Sequence, residues 1–270
     1  MNILEKILAT KREEIAACQR QRSFDDIYGE AQRVARPALS LSESLRRSAT
    51  PIIAEFKRRS PSKGFISKDA DVATVASGYA AHGAAAISVL TDREYFAGSL
   101  ADLAAARRAS SVPLLRKDFI ISPYQLCEAR IAGADAALLI AAALTREQCA
   151  ELAAFARSIN IEALLEVHCE AELAHINPHV NVVGVNNRNL STFATNAATS
   201  LTLAPLIPDT YAKISESGIS DTETVKMLQK AGFQGFLMGE IFMKTGNPAQ
   251  ALGKLIEELK VESRKSKVES

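Results

Sequence analysis

The sequence predicts an α/β fold, because eight short strand-like runs alternate along the chain with longer segments of helical character. That alternation is typical of parallel strands joined by crossover helices. Eight such units are the number that closes into a (β/α)8 barrel, the TIM-barrel class. No low-complexity linker divides the chain. We therefore expect residues 1–270 to form a single barrel domain, with residues 1–50 as a helical N-terminal extension.

The predicted elements follow one another in strict alternation. The strand candidates are 51–58, 85–91, 113–119, 136–142, 161–167, 182–188, 211–216 and 235–239. The helix candidates are 71–82, 99–109, 123–132, 146–158, 170–176, 196–206, 220–231 and 248–261. Each strand therefore has a helix that can return the chain to the next parallel strand.

Several helix ends carry local signals. Ser122, Thr145 and Ser220 each stand at the start of a helix candidate, where a hydroxyl oxygen can accept from free backbone N–H groups. Three helix candidates are followed by a glycine, as expected where the backbone turns left-handed: Gly83, Gly133 and Gly232. These similar endings indicate one repeated unit.

The extension contains a helix-like apolar stripe formed by Leu4, Ile7, Leu8 and Ile15. We expect the stripe to pack across one end of the barrel. Both a docking role and a substrate-covering role fit this arrangement.

Composition excludes several classes of protein. Lys plus Arg number 32 and Asp plus Glu number 31, so a net charge of +1 offers no general attraction for nucleic acid or an anionic membrane. The longest apolar run, 136–144, is far below the roughly 18 residues that a membrane span requires, which favours a cytoplasmic protein. The cysteines are widely spread and the histidines lack a metal-binding arrangement, so we expect neither disulfides nor a metal site.

The first strand candidate ends in ionisable residues. Because side chains alternate along a strand, Glu55 and Lys57 share one face. Burying either group without a partner is costly. We therefore predict that both lie where the strand emerges into a cleft, beside the turn at 60–64.

Other strand candidates end in ionisable residues too, and in a barrel all these ends meet at one mouth. Lys117 closes the third strand facing inward, whereas Arg116 and Asp118 face outward and can pair. Burial and nearby cations are expected to lower the pKa of Lys117 and make it a better proton donor, with Glu166 of the fifth strand as the base. Each alone could be a structural ion pair, but their coincidence at strand ends favours catalysis.

The loops after the seventh and eighth strands contain Ser217-Gly218 and Gly239-Glu240. Barrels often bind phosphate there with backbone N–H groups, and Ser60 can add a hydroxyl. A glycine in a turn is the simpler explanation for each loop alone. The two together predict a small phosphorylated substrate.

Seven motifs run through the barrel in order: IAEFKRRSPSKG at 53–64, SVLTD at 88–92, LRKDF at 115–119, LLEVH at 164–168, GVNNRNL at 184–190, SESGI at 215–219 and MGE at 238–240. Through them the chain resembles the indole-3-glycerol phosphate synthase family of tryptophan biosynthesis, and its length fits the monofunctional form. The resemblance implies that 1-(2-carboxyphenylamino)-1-deoxyribulose 5-phosphate cyclises with loss of carbon dioxide and water. It implies no metal and no organic cofactor.

The resemblance also implies roles for individual residues. Lys117 would be the general acid on the carbonyl oxygen, and Lys57 would hold the anthranilate carboxylate and take part in later proton transfer. Glu166 would be the acid/base partner in dehydration. Glu55 would orient the lysines, and Asn186 would contact the sugar hydroxyls or the leaving water.

The remaining implied contacts belong to the substrate. The substrate-binding residues would be Arg188, Glu216 and Ser217, and the phosphate would lie on Ser60, Lys57, Gly218, Gly239 and Glu240. Some relatives have a small hydroxyl residue in place of Glu240, so its backbone is the expected phosphate ligand.

Two alternatives remain open. Another phosphate-binding barrel, such as a phosphoribosyl isomerase, would share the last two loops but would not require Lys57, Lys117 and Glu166 together. A non-catalytic relative would keep the anion site as a partner surface. Weak association with other tryptophan-pathway enzymes is also expected.

Overall fold

A computed structural model of the chain describes residues 2–189 and 194–268. Eight parallel strands close into a barrel, each paired with its neighbours in chain order and the eighth paired with the first. We number them first to eighth: Ile52–Phe56, Ala86–Leu90, Leu114–Lys117, Ala136–Ile140, Glu162–Val167, Val182–Asn186, Ala212–Glu216 and Gly235–Met238. The predicted (β/α)8 fold is confirmed.

Helices cover the outside of the barrel and both of its ends. The α-helices are Ile3–Gln21, Phe24–Gln32, Leu41–Arg47, Val72–Ala81, Leu100–Ala109, Pro123–Ala132, Arg146–Ser158, Ala198–Leu203, Thr222–Lys230, Glu240–Met243 and Pro248–Val268. Three short 3-10 turns, Ala141–Ala143, Glu170–His175 and Ala204–Leu206, complete the helical elements. None of the helices in the described ranges is both long enough and apolar enough to cross a bilayer.

Some elements differ from the prediction. The fifth crossover, expected as a helix at 170–176, is the 3-10 turn Glu170–His175. The turn after the first strand contains a small antiparallel hairpin of Arg59–Ser60 with Gly64–Phe65. Runs of two residues are too short to show a strand period, so the sequence could not reveal this hairpin.

Most of the predicted helix ends are confirmed. The side chains of Ser122 and Thr145 accept backbone N–H groups at the starts of their helices. The prediction for Ser220 is wrong, because the next helix begins later and Asp221 is its cap, accepting from the N–H of Thr224. The three glycines after helices have left-handed backbones: Gly83, Gly133 and Gly232.

Alternation along the strands divides the buried residues between two layers. Ile53, Leu115 and Leu164 pack inside the barrel. Ile52 and Leu165, which face the other way, pack against the helices. Since Lys117 shares the face of Leu115, its predicted inward direction follows from the same alternation.

The N-terminal extension contacts both ends of the barrel, where the sequence predicted one. Leu4 and Ile7 of the first helix line the cavity at the carboxyl ends of the strands. Leu41 and Leu45 pack into the inner core, and the N–H of Ser42 donates to Glu162 at the start of the fifth strand. The helix Leu41–Arg47 therefore closes the amino end of the barrel.

We expect Leu41→Ala to lower the free energy of unfolding by about 2–5 kcal/mol, the usual cost of a cavity in a closely packed core. Leu41 is fully buried, whereas Leu206 is 46% exposed. Urea denaturation of Leu41→Ala and of the control Leu206→Ala measures this difference. Equal midpoints for the two variants would contradict the closing role of this helix.

Candidate active site

A cavity of about 470 Å³ opens at the carboxyl ends of the strands. Every candidate residue from the sequence lines it: Glu55, Lys57, Ser60, Lys117, Glu166, Asn186, Arg188, Glu216, Ser217, Gly218, Gly239 and Glu240. Their convergence follows from the barrel, since parallel strands of similar length deliver their last residues to one rim.

The floor of the cavity is a cluster of opposite charges. The Nζ of Lys117 lies 2.8 Å from Glu166 Oε2 and 3.1 Å from Glu216 Oε2. Lys57 donates a hydrogen bond to Glu55. Three carboxylates and two ammonium groups, drawn from the first, third, fifth and seventh strands, therefore share one buried site.

The expected pKa of Lys117 is wrong in direction. Burial acts to lower its pKa, as predicted, but the carboxylates of Glu166, Glu216 and Glu55 outweigh burial and raise the pKa above its usual range. The nearest charges are anions, whereas cations were expected from the sequence. Lys117 is therefore an ammonium at neutral pH that can donate a proton, although its raised pKa makes it a weaker acid than was expected from the sequence.

The two carboxylates on Lys117 differ in their protonation. Burial acts to raise the pKa of Glu166, but Lys117 and His168 outweigh it and hold the pKa well below its usual range. For Glu216, burial and the charge of Glu166 prevail over Lys117 and raise the pKa to about 7. Glu166 is thus ionised at neutral pH, where Glu216 is only partly protonated.

The predicted phosphate loops lie on one side of the mouth. Ser217 and Gly218 have φ angles of 66° and 71°, a left-handed pair that turns the backbone sharply at the rim. Glu240 pairs with Lys63 at 2.5 Å and lies 3.8 Å from Arg188. Lys63 also lines the cavity; it lies within the first motif, but no role was predicted for it from the sequence. Leu190, the last residue of the GVNNRNL motif, lies outside the described residues.

Besides its predicted role in phosphate binding, Gly239 leaves space for the side chain of Glu55. A Cβ at this position would lie 2.7 Å from the Cβ of Glu55 and 2.9 Å from its Oε1. The absence of a side chain here gives Glu55 its room beside Lys57.

One part of the cavity wall is apolar. It is lined by Leu4 and Ile7 of the first helix and by Phe96, Phe119 and Ile140. Such a wall suits an aromatic part of a ligand. Phe96 carried no signal in the sequence, since it lies in a loop without a regular period.

A buried lysine ties the first helix to the mouth. The Nζ of Lys11 lies 2.8 Å from Asp92 and 3.3 Å from Asp118, and Lys11 is only 3% exposed. Asp118 also pairs with Arg116 at 3.0 Å, as predicted. This network fixes the helix that supplies Leu4 and Ile7.

Within residues 2–189 and 194–268, no three His, Cys, Asp or Glu side chains are grouped so as to hold a metal ion.

The fold and the lining together define a barrel enzyme with a charged cavity at the carboxyl ends of its strands. Residues 4–255 match the family model described as indole-3-glycerol phosphate synthase, and the chain belongs to this family. It is 48% identical to the indole-3-glycerol phosphate synthase of Bacteroides thetaiotaomicron, over 93% of this chain and 96% of the relative. It is 45% identical to that of Chromobacterium violaceum, over 94% of this chain and 97% of the relative.

Solved structures support the fold alone. 3-Hexulose-6-phosphate synthase from Salmonella typhimurium superposes with a TM-score of 0.59 at 10% identity, covering 78% of this chain and all of that chain. A chain of the tryptophan synthase complex from Pyrococcus furiosus superposes with a TM-score of 0.56 at 18% identity, covering 77% of this chain and 97% of that chain.

We expect Gly239→Ala to lower kcat on the order of 10²-fold, because its methyl group displaces Glu55 and with it Lys57, and small misplacements of catalytic groups have effects of that size. Gly246→Ala is the matched control, since a Cβ there meets nothing within 4 Å. Steady-state kinetics of both variants provide the measurement. Similar kcat values in the two would show that Glu55 does not depend on this contact.

The raised pKa of Glu216 predicts a specific pH dependence of stability. A carboxyl whose pKa rises from 4.5 to about 7 on folding contributes stability that is present below pH 4.5 and lost as pH rises through 7. Glu216→Gln should therefore lose less stability than the wild type between pH 5 and 8. The midpoints of urea unfolding at pH 5 and at pH 8 test this difference, with Glu223→Gln, a change of an exposed carboxyl, as control. Parallel pH profiles for wild type and Glu216→Gln would contradict the assignment.

Proposed function

We propose that this chain catalyses the decarboxylating and dehydrating ring closure of 1-(2-carboxyphenylamino)-1-deoxyribulose 5-phosphate to indole-3-glycerol phosphate, as a carbon-carbon carboxy-lyase. Membership of the family supports the reaction. The observation that carries the proposal is the Lys117 ammonium held between Glu166 and Glu216 in a cavity that also contains Lys57.

The first step forms the carbon–carbon bond. The aromatic carbon that bears the carboxylate attacks the ribulose carbonyl, and Lys117 gives a proton to the oxygen as its negative charge develops. Lys57, oriented by Glu55, holds the carboxylate until it leaves as carbon dioxide. The electron pair of the broken bond restores the aromatic ring.

The second step is dehydration. The hydroxyl formed in the first step leaves as water after gaining a proton, which Lys57 supplies. Glu166, ionised in the free enzyme, accepts the proton that the new five-membered ring loses. Asn186 contacts the sugar hydroxyls or the leaving water from the neighbouring sixth strand.

The two ends of the substrate bind different parts of the cavity wall. The phosphate binds at Ser60, Lys57 and the backbone of Gly218, Gly239 and Glu240. Arg188, Glu216 and Ser217 complete the contacts to the sugar. The aromatic ring lies on the apolar wall, so that folding of the substrate between these two parts brings the reacting carbons together.

A cytoplasmic location and weak association with other tryptophan-pathway enzymes stay predictions. A phosphoribosyl isomerase and a non-catalytic relative are distinguished from the synthase by what each does to this substrate.

We expect purified protein to release carbon dioxide and form an indole chromophore from the carboxyphenylamino deoxyribulose phosphate. A rearranged product that keeps its carboxylate would indicate an isomerase, and unchanged substrate would indicate binding alone. Either result would overturn the proposal.

Lys117→Ala should lower kcat by about 10²–10⁴-fold, the usual contribution of a general acid, while substrate still binds. Calorimetric titration with the substrate and single-turnover kinetics separate binding from chemistry. The exposed Lys68→Ala is the control and should match the wild type. A retained rate in Lys117→Ala would refute its role as the acid.

A further inference from the structure

His168 lies directly after the fifth strand, two residues beyond Glu166, and therefore leans toward the same side. Its Nε2 lies 3.2 Å from Glu166 Oε1, the oxygen that does not contact Lys117. The N–H direction is poorly aligned with that oxygen, since Nε2 makes no hydrogen bond of good geometry. The contact is therefore mainly ionic.

The other side of the imidazole is held by Glu172. Glu172 Oε2 lies 3.1 Å from Nδ1 and also accepts the backbone N–H of His168 at 2.7 Å. The ring is thus fixed between two carboxylates. Neither His168 nor Glu172 lines the cavity, so the imidazole acts on Glu166 from behind the cavity wall.

An imidazole between two carboxylates is most stable with both nitrogens protonated. Burial acts to lower the pKa of His168, but Glu166 and Glu172 outweigh burial and raise the pKa to about 10. Among the described residues, these are the two carboxylates that pair with the ring, and Lys117 and Glu216 lie beyond Glu166. His168 therefore supplies a third cation to a site with three carboxylates and two ammonium groups.

We propose that His168 is a positioning residue: as an imidazolium clamped by Glu172, it keeps Glu166 ionised and directed at Lys117 between turnovers. The inference deepens the proposed function and rests on the acid/base role of Glu166 given there. It adds a residue outside the substrate cavity to the determinants of the rate.

The consequence is a separation of kcat from KM. His168→Asn keeps a polar side chain of similar reach but removes the cation, and we expect kcat to fall by about 10-fold or more, within the range of acid/base contributions. KM should stay within about twofold, because the cavity lining is unchanged. His175→Asn is the matched control, since His175 ends the turn Glu170–His175 and bonds the backbone oxygens of Glu172 and Leu144, not a carboxylate.

Rescue distinguishes this role from a structural one. His168→Gly should have a low kcat that added imidazole restores at least several-fold, whereas imidazole should leave wild type and His175→Asn unchanged. A kcat in His168→Asn equal to that of the wild type would overturn the proposal. So would a fall in His168→Gly that imidazole does not restore, because the loss would then come from the fold.

The charge of the ring is measured independently of turnover. In the free protein, ¹⁵N NMR should show the His168 ring as an imidazolium at pH 7, and Glu172→Gln should shift its titration to lower pH. A neutral His168 ring at pH 7 would overturn the proposal even if the enzyme is active. An imidazolium in a protein that fails to turn over the substrate would instead overturn the proposed function alone.

Discussion

The ion pairs of Lys117 with Glu166 and Glu216 are the interaction on which the rest of the site depends. A buried ammonium without partners is strongly unfavourable, and so is a buried carboxylate. The charged residues at the ends of the third, fifth and seventh strands can therefore be buried in the barrel mouth only because they pair with one another. The same contacts raise the pKa of Lys117 and lower that of Glu166. The ion pairs therefore determine both how these side chains pack and which of them carry a proton.

This dependence explains how the surrounding parts are arranged. Glycines stand where a side chain would intrude on the carboxylates: a Cβ at Gly184 would lie 2.5 Å from Glu216 Oε1, as one at Gly239 would crowd Glu55. Lys11 anchors the first helix through Asp92 and Asp118. The charged floor, the apolar wall and the two glycine loops then line one cavity, and we propose that it takes a substrate with an aromatic and a phosphorylated end.

The sequence predicted the barrel and the lining of its mouth because both follow from simple periods. Alternation along a strand fixed the direction of Glu55, Lys57 and Lys117, and convergence of parallel strands brought them to Glu166. The sequence could not predict the pKa of Lys117, because that pKa depends on which remote side chains lie within about 4 Å of its amine. The two-ended contact of the extension and the position of Phe96 likewise depend on tertiary distances that no local pattern records.

The most direct test of this account is the protonation state of Lys117 in the free protein. Titration of its side-chain amine by ¹⁵N NMR, assigned by loss of the signal in Lys117→Met, reports that state without any substrate. The account predicts an ammonium that persists beyond pH 10.5, the ordinary pKa of a lysine. An amine that loses its proton below pH 9 would show that burial outweighs the carboxylates, and would contradict the charge balance on which the mechanism depends.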